Sequence, residues 1–309
     1  MKKYLPYFMI GFGAALWGLI AIFVRELKEA GLTEMEIVTI RVTTATFFLL
    51  VVGGIAYRDQ FKIDVKKMPL FVGTGILSIV FFNYCYFSTI NQMSVSLAVI
   101  LLYTSPAFVT ILSFIFLKES LHKKKIMAVI GTILGCILIA GIQTEQASSI
   151  TMMGILTGSG SGLGYALYTI FGKFALQHYK PFTVTLYTFI VATVALLPFS
   201  GIWGKLDLLF TSEVFIYSAG LGLIPTVLAY FVYTWGLEKT EGSKAAVIAT
   251  VEPVVAMMIG LVVFQETLGV PQLLGSLLIF ISVIMVNLPV KKGVGNSVNS
   301  SKKSTGFSG

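Results

Sequence analysis

Charged residues are scarce in this chain. Of its 309 residues only 12% are Asp, Glu, Lys or Arg, whereas 56% are hydrophobic, and the mean hydropathy is +0.89. A soluble domain carries about 25% charged and about 45–50% apolar residues, so a soluble globular fold is strongly disfavoured. The apolar residues also come in blocks about 20 residues long, the length that a helix needs to cross a bilayer. The sequence therefore predicts an all-α polytopic membrane protein.

Residues that build disulfides, metal sites or catalytic centres are also few. The two cysteines, Cys85 and Cys136, lie inside apolar runs, and their spacing fits neither a disulfide framework nor a metal site. The glycine-rich residues 154–164 lack the Gly-Lys-Ser/Thr ending of a phosphate-binding loop. Such small residues permit close helix contact, and we expect them to pack against the first span. No nucleophile–base pair is evident, so we expect no metal, no cofactor and no enzymatic activity, and direct use of ATP by this chain is excluded.

Turn and breaker residues divide the chain into ten predicted spans. Most of the 22 basic residues then fall on connections that share a side with both termini, and only Arg25, Lys28 and Lys205 fall on the opposite side. Basic residues concentrate on the cytoplasmic side of membrane proteins. We therefore predict a cell-membrane protein with both termini in the cytoplasm, and the net charge of +8 indicates topology rather than nucleic-acid binding. The predicted spans cover about residues 5–24, 34–57, 69–90, 94–117, 125–142, 150–172, 181–203, 213–236, 244–264 and 271–289.

The two halves of the chain repeat each other. Residues 86–121 align without gaps with residues 233–268, and the first span also aligns with the sixth. Each half carries five spans, an odd number, so the second half must enter the membrane in the opposite orientation. We therefore predict two inverted five-helix repeats, residues 1–147 and 148–290, followed by a disordered basic cytoplasmic tail, residues 291–309. Inverted repeats are the architecture of secondary transporters, whose substrate site lies near the midplane between the repeats. Identical aligned pairs include Tyr86/Tyr233, Ser96/Ser243, Pro106/Pro253 and Glu119/Glu266.

These features resemble a known family. The five-plus-five spans, a proline followed by Glu-x-Leu at the ends of the fourth and ninth spans, and Arg41 in the second span are similar to the EamA-type family of the drug/metabolite transporter superfamily. The resemblance covers residues 1–290. It implies transport of amino acids, nucleosides, drugs or other small metabolites, mostly outward, without selecting a substrate. The counterpart of Arg41 in the second half is Phe189, so a polar site need not lie on the axis that relates the halves.

Glu252 and Arg41 are the two charges placed most clearly inside predicted spans, and an intramembrane charge marks a candidate functional site. Three roles are open for Glu252: it binds a substrate ammonium, it carries a coupling proton because burial disfavours its charged form, or it is structural. Its counterpart is Ser105, so the carboxylate belongs to one half only. Arg41 could bind a carboxylate or phosphate, pair with Glu252 or Glu36, or extend towards the membrane surface.

Prolines and aromatic residues suggest where a cavity lies. A proline inside a helix removes one hydrogen bond and kinks the helix, so Pro106, Pro253 and Pro225 predict kinked helices around one cavity, with packing alone as the alternative. Glu119 and Glu266 follow helix ends, and we expect a structural role in which each accepts hydrogen bonds from free N–H groups at the start of the next helix. Residues that suit a pocket for amphipathic metabolites, or otherwise serve packing, are Trp17, Asn83, Tyr86, Tyr103, Tyr165, Tyr168, Tyr230 and Tyr233.

The predicted function is secondary active transport of a small metabolite, an amino acid or a related compound, by alternating access. Export is the preferred direction, and uptake of a similar solute is the first alternative. A receptor or assembly scaffold without net transport is the second alternative. The expected partners are a small-molecule substrate, the lipid bilayer and a coupled proton or counter-substrate, but no nucleic acid; the oligomeric state is not predicted. A transporter should have a cavity that contains Glu252 or Arg41, whereas a scaffold should be packed dry in that region.

Overall fold

Ten long helices form the part of the chain that the structure, a computed structural model, describes, residues 4–141 and 150–288. Eight of them are long and apolar enough to cross a membrane; α5 begins with three lysines and α6 is rich in glycine. The prediction of an all-α membrane protein with two five-helix repeats is confirmed. The predicted tail, residues 291–309, and the predicted boundary between the halves lie outside the described residues. The helices are α1 (Leu5–Glu29), α2 (Glu34–Ala56), α3 (Val65–Gln92), α4 (Val95–Phe116), α5 (Lys123–Ala140), α6 (Met152–Ala175), α7 (Pro181–Phe199), α8 (Ser212–Glu238), α9 (Gly242–Val262) and α10 (Val270–Asn287).

Successive helices run in opposite directions, which gives the bundle two distinct ends. We call the end where α1 begins and α10 ends the near end, and the opposite one the far end. Short 3-10 turns follow α2 at the near end (Arg58–Phe61) and α7 at the far end (Gly201–Lys205), and the latter leads into a short helix (Leu206–Leu209). Because each repeat has five helices, α5 and α10 end at opposite ends of the bundle.

Helices α4 and α9 are interrupted at equivalent places. In α4 the break separates Val95–Leu102 from Ser105–Phe116, and in α9 it separates Gly242–Ala249 from Val251–Val262. Pro106 and Pro253 lie in the first turn of the second segment, where a missing N–H leaves no bond unmade. The two prolines therefore start new helical segments. Our prediction that they kink continuous helices is wrong. The hydroxyls of Thr104 and Thr250 each donate 2.6 Å bonds to carbonyls before the break, those of Leu101 and Val247.

Helices α3 and α8 share a different irregularity. Each contains a wider π-helical segment, Gly73–Val80 in α3 and Leu223–Leu228 in α8. Pro225 lies inside the second segment, where its ring removes the bond to the carbonyl of Leu221. The Thr226 hydroxyl donates a 2.7 Å hydrogen bond to that same carbonyl. The freed backbone group is thus satisfied within the helix, as an apolar surrounding requires.

Glycine-rich surfaces bring helices into close contact at two places. In α6, a Cβ at Gly162 would lie 2.8 Å from the carbonyl oxygen of Leu101 in α4. The glycine-rich residues of α6 therefore pack against α3 and α4, and the predicted packing against the first span is wrong. The second close contact is between α5 and α10, which cross so closely that a Cβ at Gly275 would lie 2.6 Å from the carbonyl oxygen of Gly135.

Candidate functional site

A cavity of about 910 Å³ lies inside the bundle, and both intramembrane charges line it. Glu252 lies midway along α9, and Arg41 lies a third of the way along α2 from the far end. The other charged residues that line the cavity come from the far ends of the helices, so the cavity opens at the far end: Arg25, Lys28, Glu29, Glu34 and Glu266. This position is the one expected for a site between two inverted repeats.

Glu252 lies in the first turn of the second α9 segment, directly after the break at Thr250. The break exists because Pro253 cannot donate a backbone hydrogen bond, and it turns the start of a new helix towards the cavity. A helix start carries a partial positive charge, which favours a carboxylate. The Tyr165 hydroxyl of α6 donates a 2.9 Å hydrogen bond to Glu252 Oε2. One carboxylate oxygen is thus held by the protein, and Glu252 still lines the cavity.

Arg41 is a buried cation without a direct counterion. The residue is only 7% exposed, and its Nε has no hydrogen-bond partner among the described residues. Within the same part of the chain no carboxylate lies within 4.0 Å of it, so neither of the two pairings considered from the sequence is found. Glu36 instead accepts a 2.8 Å bond from Lys205 and closes a capping box with Thr33. The Arg41 guanidinium is therefore free to bind an anion in the cavity.

Five aromatic residues from α1, α6 and α8 pack together around a small pocket beside the cavity, and Trp17 among them also lines the cavity itself. We call this group the aromatic floor: Trp17, Tyr165, Tyr168, Tyr230 and Tyr233. Trp17 lies at its centre, with ring centroids 5.0 Å from Tyr230 and 4.9 Å from Tyr233. Tyr168 shares a 2.7 Å hydrogen bond with Thr234, and Tyr233 shares a 3.0 Å bond with Thr169. These contacts close the bundle between the cavity and the near end.

The predicted site residues separate into three groups. Trp17, Asn83, Tyr86, Tyr103 and Pro253 line the main cavity with Glu252 and Arg41. Within this set, the Asn83 amide donates a 2.7 Å bond to the carbonyl of Ile79 on its own helix. Tyr168 and Tyr230 belong to the floor and border a separate small pocket below the cavity. Pro106, Pro225 and Glu119 line neither.

Glu119 takes part in a cluster at the near end. Its carboxylate accepts hydrogen bonds from the N–H groups of Gly242 (2.5 Å) and Ser243 (3.2 Å) and from the Ser243 hydroxyl. As we predicted, Glu119 binds backbone N–H groups at the start of a helix. That helix is α9, however, and not α5, the next helix in the chain. The difference arises because the loop after α4 lies beside the start of α9.

Lys125, which sequence reasoning missed, completes this cluster. It is 3% exposed, and its Nζ donates to Glu241 Oε2 and to the Ser120 carbonyl, both at 3.0 Å, and lies 3.5 Å from Glu119 Oε2. Although partial burial opposes ionisation, the bond from Lys125 and the charges of Lys125 and Lys244 hold the pKa of the Glu241 carboxyl below its usual value. Lys125 follows two other lysines, so its sequence context indicates topology and gives no sign of burial.

Comparison with known proteins bears on this arrangement. The sequence profile of the EamA-like transporter family matches the chain twice, at residues 5–141 and 152–288. Two relatives are an uncharacterized transporter from Archaeoglobus fulgidus, 26% identical over 88% of this chain and 92% of its own length, and the uncharacterized inner membrane transporter YicL from Salmonella typhimurium, 21% identical over 90% and 94%. A crystal structure described only as that of a protein shares the fold, with a TM-score of 0.69 and 16% identity over 90% of this chain and 96% of that one.

Proposed function

Because the chain belongs to the EamA-like transporter family, a family of multi-pass membrane proteins that move small molecules, we propose that it is a secondary active transporter working by alternating access. The observation that carries the proposal is the cavity of about 910 Å³ that holds Glu252 and Arg41 and is closed towards the near end. A receptor or scaffold would gain nothing from two charges held in a cavity at this depth, because each costs at least a few kcal/mol inside a bilayer.

The proposed substrate is an amino acid or a related compound with an amine and an acid group. Arg41 offers a buried Nε donor without a partner among the described residues, which suits a carboxylate. Glu252 offers the carboxylate that would bind an ammonium group. The rings of Tyr86, Tyr103 and Trp17 border the same cavity and suit an apolar substrate side chain. A volume of this size lies within the range of roughly 300–1,000 Å³ that small-molecule sites occupy.

The proposed location is the cell membrane, with both termini in the cytoplasm. The lysines of the near end support this orientation, since basic residues concentrate on the cytoplasmic side. The far end would then face outwards, and the structure would correspond to an outward-open state. The proposed direction is export, with entry of a proton or a counter-substrate through Glu252 as the driving reaction. No enzymatic step is part of the proposal.

Counterflow in proteoliposomes tests this function. Vesicles loaded with one of a panel of amino acids or nucleosides are exposed to the same labelled compound, and uptake is followed in the parent and in Glu252→Gln. We expect counterflow of at least one amino acid by the parent and its loss in the Gln variant. Glu213→Gln is the matched control, because Glu213 is an exposed carboxylate at the far start of α8. Normal counterflow by Glu252→Gln would refute substrate binding by Glu252. Because counterflow needs no net proton movement, the coupling role is refuted instead by normal transport of the variant driven by a pH gradient.

A further inference from the structure

The near-end cluster joins the two repeats at one place. Glu119 lies in the loop directly after α4 of the first repeat, and the N–H groups that it binds belong to Gly242 and Ser243 at the start of α9 in the second repeat. The first N–H groups of a helix have no partner within the helix, and hydrogen bonds to a carboxylate are stronger than neutral ones. We call this contact the near lock. It holds α4 against α9 at the end where the cavity is closed.

Equivalent residues are present at the far end, but there the carboxylate and the N–H groups are not in contact. The aligned counterparts of Glu119, Gly242 and Ser243 are Glu266, Val95 and Ser96. Among the described residues no hydrogen bond reaches the Glu266 carboxylate, which lines the cavity mouth and lies over Gly260 of its own helix. Val95 also lines the mouth and is exposed. The equivalent contact is therefore unmade at the end where the cavity is open.

The two carboxylates are presented by the same backbone turn. Lys118 and Gln265, the residues before them, both have φ of 56°. The N–H of Glu119 donates to the carbonyl of Ser113 at 3.1 Å, and that of Glu266 donates to the carbonyl of Gly260 at 3.0 Å. A positive φ is uncommon for residues other than glycine. A left-handed residue followed by an N–H bonded six residues back is the Schellman ending of a helix, so the glutamate takes the same position after each of the two helices.

We propose that Glu119 and Glu266 are the two gating residues of the transport cycle, each closing one end of the cavity by binding the first N–H groups of the opposing repeat. This inference rests on the alternating access proposed above. Opening the near end breaks the bonds from Gly242 and Ser243 to Glu119. Closing the far end brings the start of α4 to α9, where the N–H groups of Val95 and Ser96 and the Ser96 hydroxyl donate to Glu266. One set of bonds replaces the other, so the exchange costs little free energy.

Lys125 makes the two locks unequal. It bridges Glu119 at the end of α4 and Glu241 at the start of α9, and its counterparts at the far end are uncharged: Gln272 for Lys125 and Ser94 for Glu241. The alignment extends to these positions because α5 begins at Lys123 and α10 at the equivalent Val270. An added cation between two carboxylates strengthens the near lock relative to the far lock. Lys125 thereby biases the substrate-free protein towards the state open at the far end.

Distance measurements between spin labels test the locks without a substrate. The two native cysteines are replaced by alanine, and labels are placed at the exposed Asn91 and Val263 for the far end and at Phe116 and Lys239 for the near end. In the parent we expect the far pair to be long and the near pair to be short. Glu119→Gln and Lys125→Gln should each raise the ratio of far-closed to far-open molecules roughly tenfold, the size expected for losing a hydrogen bond to a charged group.

The Glu266 variants supply the decisive comparison. Glu266→Gln alone should leave the distances unchanged, since its lock is open in this state, whereas added to Glu119→Gln it should return the ratio roughly tenfold towards far-open. Lys123→Gln, an exposed lysine at the start of the same helix, is the matched control for Lys125→Gln and should change neither pair. Should Glu119→Gln fail to fold, Lys125→Gln decides, because it leaves the bonds from α9 to Glu119 in place.

Unchanged distances in folded Lys125→Gln and Glu119→Gln, or a double variant that stays far-closed, would overturn the locks. The proposed function is tested separately by counterflow. Shifted distances without counterflow of any compound would support the locks and refute the proposed transport. Counterflow with unchanged distances would support transport and refute the locks.

Discussion

Replacing Arg41 should weaken substrate binding without weakening the fold. In the structure Arg41 is 7% exposed, and within the described residues it has no ion pair and an unpartnered Nε. A buried charge without a direct partner contributes a desolvation cost and little attraction. Arg41→Gln removes that cost along with the charge. We therefore expect the free energy of unfolding of the substrate-free protein to change by less than about 1 kcal/mol, as for residues without a strong partner.

The effect of Arg41→Gln on substrate affinity should be larger than its effect on the free energy of unfolding. A hydrogen bond to a charged group contributes about 1.5–3 kcal/mol, and each 1.4 kcal/mol is about tenfold in affinity. If Arg41 binds the substrate carboxylate, Arg41→Gln should raise the half-saturating concentration roughly tenfold to a hundredfold. Arg41→Lys should lie between the parent and the Gln variant, because it keeps the charge but loses the planar pair of donors.

Two measurements on the same preparations separate the two effects. The melting temperature of the purified protein without substrate reports the fold, and the concentration dependence of counterflow reports binding. Arg58→Gln is the matched control, because Arg58 is an exposed arginine at the near end whose one hydrogen bond within the described residues goes to the carbonyl of Gly54. An Arg41→Gln variant that melts far below the parent, or that keeps the parent's half-saturating concentration, would assign Arg41 to the scaffold and refute the reasoning.

Two further predictions concern helix packing and the near end. Gly275→Ala should destabilise the protein by about 1–3 kcal/mol through overpacking, because the new Cβ would lie 2.6 Å from the Gly135 carbonyl oxygen. In the control Gly172→Ala the new Cβ meets nothing closer than 3.5 Å, so that variant should be neutral or stabilising by up to about 1 kcal/mol. Equal melting temperatures for the two variants would contradict the close crossing of α5 and α10. The lowered pKa of Glu241 means that its ionised form stabilises the folded protein above its usual pKa of 4.5, and that this contribution disappears as the pH falls through the lower folded-state value. Melting curves of the parent and Glu241→Gln should therefore differ at neutral pH and converge below pH 4.5; a difference that persists in acid would show that the carboxylate charge is not its cause.

The sequence was informative where the signal is local or repeated. Apolar blocks of membrane-spanning length predict ten helices, and the described residues form ten long helices, eight of which are long and apolar enough to cross a membrane. The repeat predicted from the aligned halves agrees with the two family matches at residues 5–141 and 152–288. The alignment of Pro106 with Pro253 correctly predicts that α4 and α9 are irregular at equivalent positions. It does not predict that each proline begins a new segment, because a kink and a break leave the same pattern of residues. Glu252 and Arg41 stand out because charge is rare in an apolar run.

Other features depend on contacts between residues far apart in the chain. The bond from Tyr165 to Glu252 and the bonds from Gly242 and Ser243 to Glu119 join helices from different parts of the sequence, and no local pattern specifies them. Burial of Lys125 likewise follows from the position of the start of α9 beside the loop after α4. By itself the sequence determines the helices, their inverted repeat and the two intramembrane charges, since hydropathy and periodicity are properties of single segments. Only the tertiary structure decides that the cavity is open at one end and closed at the other, because a symmetric sequence pattern is compatible with either state and the packed side chains adopt one of them.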